Sequence, residues 1–156
     1  MGTVDDAYTE SQVILTAVRI IAPFTLTYGL FLALHGADTP GGSFQGGAIM
    51  GVTILMIAFA FGVEPTRNWL SNTGVTLLVT GGVAIFIGVG LAAMALSGAF
   101  LEYRRFAEDL GIPDGTKWGM EAIEVGGIAP IIAGVVILLF FSMAAIYNPA
   151  GGGERE

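Results

Sequence analysis

The sequence predicts an all-α integral membrane protein of four transmembrane helices, and three observations carry that prediction. Its 156 residues are 54% hydrophobic and only 12% charged, about half the charged share of a soluble domain, and the mean hydropathy is +0.76. The apolar residues fall in four runs, each near the roughly 20 residues that a helix needs to cross a hydrocarbon core. Most charged residues and prolines, and the densest glycine cluster, collect in the segments between and beyond those runs. Length alone gives one domain, which the hydropathy divides into a polar tail (1–11), a four-span membrane domain (12–147, with spans at about 12–34, 46–63, 73–96 and 120–147) and a tail disordered by composition (148–156).

The first span is preceded by Asp5, Asp6 and Glu10. An acidic flank, excess length and the lack of a small-x-small cleavage site set it apart from a signal peptide. Thr9 or Ser11 is placed to cap its start. Arg19 lies inside it and Pro23 one turn later. An arginine at a helix centre costs about 2.5–3.5 kcal/mol on insertion scales and less near an end. Arg19 is therefore either an anchor snorkelling to the interface or an interior group paired with a carboxylate.

Between the first two spans stands the most specified stretch of the chain, residues 35–47, with glycine at 36, 41, 42, 46 and 47 and the only histidine, His35, at its head. Glycine permits tight backbone approach and Pro40 fixes its own φ. Gly42 and Gly46 stand four apart, as do Gly47 and Gly51, the small-xxx-small spacing that lets membrane helices pack backbone to backbone. This makes Pro40, Gly41, Gly42, Phe44, Gly46 and Gly47 a candidate packing corner.

Span 2 is expected to stop at Glu64-Pro65, because the residue before proline resists helix. A short turn follows, with Arg67 and with Trp69 at a headgroup-level position. Span 3 shows a small-residue stripe, Ala84, Gly88 and Ala92, expected to be a face for tight packing. In the long polar segment after it, residues 101–110 read as a short amphipathic helix with Tyr103, Phe106 and Leu110 on one face. Pro113-Asp114-Gly115 signals a turn. Span 4 opens with Glu121 and Glu124 on a shared face, stays slim through Gly126, Gly127, Ala129, Ala133 and Gly134, carries Pro130, and ends at Asn148-Pro149. Four spans put both termini on one side of the membrane, and the short Arg67 turn tips the positive-inside count toward a cytoplasmic placement.

The residues that chemistry would need are scarce. With no cysteine and one histidine, thiol chemistry, disulfides and iron–sulfur or Cys-ligated zinc sites are excluded, and no cofactor is expected. The glycine corner lacks the lysine and strand of a phosphate loop. A net charge of −7 argues against nucleic acid as a partner. What remains are ionisable groups at or near membrane depth: Arg19, His35, Asp38, Glu121 and Glu124. Such groups are functional candidates by default, and Glu124, just before Gly126-Gly127, is the best-placed intramembrane carboxylate. His35 and Asp38 sit where water also reaches.

The pattern Arg19-x-x-x-Pro23, then His35-Gly36-x-x-Thr39-Pro40-Gly41-Gly42-x-Phe44-x-Gly46-Gly47, resembles the B subunit of Mrp-type multisubunit sodium/proton antiporters, the MnhB domain family. The Glu124-x-Gly126 opening of span 4 is similar to that family's acidic-x-Gly. The likeness is strong over about 15–65 and looser to 147. Two positions depart from it: the family's second histidine is Ala37 here and its third glycine is Ser43. The resemblance implies a non-catalytic multi-pass subunit in a prokaryotic cell membrane. Its partners would be complex-I-like and other membrane subunits, and sodium and protons would be the ions moved. Arg19, His35 and Glu124 are the candidate ion-path or buried-charge residues. Two alternatives stand beside it: the equivalent subunit of a membrane-bound hydrogenase-type complex, with the same fold, and a stand-alone small transporter or channel, with the glycine corner as a re-entrant pore loop.

Overall fold

The computed structural model describes residues 11–36 and 42–147. Among them the chain forms α1 (Gln12–Leu34), α2 (Ser43–Phe61), α3 (Val63–Trp69), α4 (Asn72–Ala95), α5 (Arg104–Glu108) and α6 (Gly115–Ile123). A π-helical turn (Glu124–Ile128) then leads straight into α7 (Ala129–Tyr147). Four stretches are long and apolar enough to cross a membrane: Gln12–Leu34, Ser43–Phe61, Asn72–Ala95 and Gly115–Ile146.

Pro23 lies within α1 without ending it, and nearby threonines use the backbone carbonyls that lipid cannot hydrate. The Thr25 hydroxyl bonds Ala22 O at 3.0 Å and the Thr27 hydroxyl bonds Pro23 O at 2.8 Å. Helix α2 starts with Gly42 N–H donating to Gln45 Oε1 at 3.1 Å. It stops earlier than Glu64-Pro65 implies, because Gly62 adopts φ 98°, a left-handed conformation that glycine alone adopts without strain. Pro65 then sits in the first turn of α3, where a missing N–H breaks no helical bond. The expected turn is helical from Val63 to Trp69.

The bundle is ordered α1–α2–α7–α4 in space. A β-carbon on Gly46 would stand 2.5 Å from Gly29 O and 2.7 Å from Ala33 N; one on Gly47 would stand 2.6 Å from Ala129 O. The helices therefore meet backbone to backbone, as the four-residue glycine spacing predicts. The Thr25 and Thr53 hydroxyls meet across α1 and α2 at 3.0 Å. Helix α4 uses a different face from the expected one. Gly82, Gly90 and Ala93 are buried while Ala84, Gly88 and Ala92 are exposed, since the stripe lies on the side of α4 turned away from α7.

The segment between α4 and α6 folds as a hairpin at the end of the bundle where α1 ends and α2 begins. Its helix is only Arg104–Glu108. Phe106 is 3% exposed and packs edge-on to Trp118 with ring centroids 5.8 Å apart. Leu110 does not share that face, because the helix has ended before it, and it is 55% exposed. Asp114, at φ 53°, turns the chain into α6.

Candidate functional site: a carboxylate under the glycine corner

Glu124 opens the π turn, whose defining bond runs from Ala129 N–H to Glu124 O, one residue longer than an α-helical bond. Pro130 gives a local cause: it has no N–H for the carbonyl of Gly126, and its ring crowds that carbonyl. A widened turn ahead of the proline relieves the crowding, and widened turns of this type recur at functional sites. Gly82 lets α4 come close, since a β-carbon there would stand 2.8 Å from Gly127 O.

The widened turn sets the Glu124 carboxylate against the corner between α1 and α2. A β-carbon on Gly36 would lie 2.5 Å from Glu124 Oε2 and 3.0 Å from Gly42 Cα; one on Gly42 would lie 2.7 Å from Gly36 Cα. At Gly42 backbone stands in the way of a side chain, and at Gly36 the Glu124 carboxylate would have to yield. Oε2 is shut off from solvent and has no hydrogen-bond partner among the described residues. Holding one carboxylate oxygen out of water with no partner is unfavourable, so the unpartnered Oε2 calls for an explanation.

Two neighbours complete the site. Glu121, one turn earlier and partly exposed, lies 3.8 Å from Lys117 Nζ through its Oε1. Tyr103, from the hairpin, rests its ring on Gly119, where a β-carbon would stand 2.9 Å from Cδ1. Burial, and secondarily the charge of Glu124, push the Tyr103 phenol above its usual value. The hairpin that presents it is braced by ion pairs of Arg104 with Glu102 (3.3 Å) and Glu108 (3.2 Å), and by Ala99 N–H donating to Glu102 Oε2 at 2.7 Å.

Of the residues singled out in the sequence, Glu124 and the corner glycines come together. Gly42 walls the site, while Gly46 and Gly47 are buried in the seam below it. Phe44 is 58% exposed and faces out of the bundle. His35 is exposed, its ring stacked on Phe31 at 4.3 Å and its Nδ1 3.0 Å from Phe31 O. Arg19 lies over the Phe61 ring at 5.3 Å, about 25 Å along α1 from Gly36 at 1.5 Å per residue, and cannot pair with Glu124. Asp38, Pro40 and Gly41 lie outside the described residues. Tyr103 is a site residue that the sequence does not mark out, since its only signal there is its helical spacing from Phe106.

The chain matches the family described as "Domain related to MnhB subunit of Na+/H+ antiporter" over residues 13–144. It is 23% identical over 133 residues to a Bacillus subtilis (strain 168) protein named as the B subunit of a Na(+)/H(+) antiporter, covering 84% of this chain and 91% of that protein. It is also 26% identical over 136 residues to a Staphylococcus saprophyticus protein bearing the name antiporter subunit mnhB2, covering 86% and 96%.

Proposed function

The chain belongs to the family of domains related to the MnhB subunit of Na+/H+ antiporters, and from that premise we propose that it is a non-catalytic membrane subunit of a multisubunit cation/proton antiporter in a bacterial-type cell membrane, with Glu124 as its ion-handling group. The observation that carries the second half is the buried, unpartnered Oε2 held under Gly36 and Gly42. A carboxylate with one oxygen held out of water inside a span is costly to maintain, and service to a moving ion is a role that uses it. The first half is supported by the names and near-complete coverage of the relatives. The partners are other membrane subunits, and the ions exchanged are sodium and protons.

The reading is tested on the assembled complex in proteoliposomes. Glu124→Gln is expected to lower sodium/proton antiport while the chain still co-purifies with its partners, and the chain alone is expected to exchange nothing. Unimpaired antiport by the Gln variant across several pH values would remove Glu124 from the ion route. Exchange by the purified single chain would remove the subunit assignment.

A further inference from the structure

We infer that Glu124 takes up the proton rather than the metal cation, and that Tyr103 on the surface hairpin is its positioning residue; this rests on the reading of Glu124 as an ion-handling group. The enclosure of Oε2 decides between the two ions. A metal ion entering a protein exchanges its hydration shell for several oxygens at once, which takes room on the carboxylate's open side. At Oε2 there is no such room, because that oxygen is shut off from solvent and lies under Gly36, where an added β-carbon would stand 2.5 Å from it. A proton needs neither a shell nor a volume. Glu121, the other acid on this helix face, is drawn toward Lys117 instead.

The surroundings leave few other groups to take part. Helices α2 and α4 contain no titratable side chain, α7 has only Tyr147 at its far end, and α1 has Arg19 and Tyr28. His35 adjoins Gly36 with its ring folded back over Phe31, Glu121 shares the helix, and Asp38 lies outside the described residues. From the hairpin comes Tyr103, whose ring is fixed on Gly119. Its hydroxyl both donates and accepts, which suits it to orient a water at the mouth of the site. In the step, the water breaks one O–H bond to form one on Glu124 while taking up a proton from a hydronium on its solvent side, and the reverse transfer to water restores the carboxylate. Tyr103 keeps its own proton throughout, and no redox change occurs.

The experiment compares the parent complex with Glu124→Gln and Tyr103→Phe in proteoliposomes, each shown by co-purification to hold its partner subunits, with antiport measured against sodium chloride concentration and against pH. Glu124→Gln is expected to lower the maximal rate about tenfold and flatten the pH profile, with half-saturating sodium changed by no more than about twofold. Tyr103→Phe preserves the ring packing on Gly119 and is expected to displace the pH profile while leaving the sodium dependence alone. A Gln variant with raised half-saturating sodium and an unaltered pH profile would make Glu124 a cation ligand, overturning the proton assignment and leaving its ion-handling role intact. A Gln variant altered in neither would overturn that role as well. A Phe variant whose pH profile overlays the parent's would dismiss Tyr103. Where the Gln complex does not assemble, Glu124→Asp takes its place: a displaced pH profile is expected, and an unchanged one overturns the assignment.

Discussion

The seam joining α1, α2 and α7 and the outward face of α4 are built from the same small residues but lie in different surroundings. In the seam, Gly46 looks onto Gly29 O and Ala33 N, Gly47 onto Ala129, and Gly51 onto Val136, all closer than a side chain tolerates. On α4, a β-carbon at Gly81 or Gly88 would meet nothing within 4 Å. The difference teaches that small-residue spacing encodes the capacity for close approach, while topology decides where that capacity is used. Helix α2 lies between α1 and α7 and has neighbours on both sides. Helix α4 stands at the end of the row and touches the bundle along one side only.

The sharpest way to break this comparison is to place the same side chain on both faces. Gly46→Val puts a branched carbon against backbone atoms that have no rotamer to yield, so its cost should exceed the roughly 1–3 kcal/mol typical of overpacking. Gly88→Val should stay within about 0.5 kcal/mol in the isolated chain, as open surface positions do. Thermal unfolding of the two variants in the same detergent checks this. Equal losses would mean that the seam relaxes or that the α4 face is not open.

Much of this fold could be read from composition because the bilayer imposes so simple a rule: an apolar run of about 20 residues is a helix. The details that escaped the sequence are those set by tertiary contacts. Gly62, not Glu64-Pro65, ends α2, since a positive φ is a property of the fold around it. Leu110 leaves the face of Phe106 because α5 stops at Glu108. The candidate site was legible in halves. An acid before Gly126-Gly127 and a glycine corner after α1 each stood out, but no pattern in the sequence ties residue 36 to residue 124. That pairing follows from α2 carrying the corner across to the start of α7. Tyr103 was harder still, because an aromatic residue in an amphipathic segment ordinarily marks a membrane surface.

A middle-sized effect is expected where the two halves meet. Gly36→Ala would place a methyl 2.5 Å from Glu124 Oε2 and 3.0 Å from Gly42 Cα. The carboxylate can swing aside, whereas the Gly42 backbone has less freedom, so the stability loss should fall between those of Gly88→Val and Gly46→Val. Antiport by the complex should fall more than stability does, because the displaced group is the proposed proton carrier. If activity tracked stability point for point across the three variants, the corner would be a packing device and nothing more.

The smallest effect should come from the hairpin, where Glu102 is surrounded by water as well as by partners. The Ala99 N–H holds its carboxyl below the usual value against a lesser, opposing effect of desolvation, with smaller help from Arg105 and Arg104. A carboxylate whose value is lowered by folding contributes stability that is fully present above its unfolded value. That contribution is lost as the pH falls through the lowered folded value. Acidification should therefore leave the Ala99 amide protected from hydrogen exchange through the ordinary carboxylate range and expose it only below. Glu102→Gln should weaken that protection at neutral pH and erase its acid dependence, with little change in the unfolding of the four spans. Exchange at Ala99 that loosens in the same pH range with or without the carboxylate would assign the hairpin's order to Phe106 and Trp118 instead. The ion pairs bracing Tyr103 would then be incidental to its position.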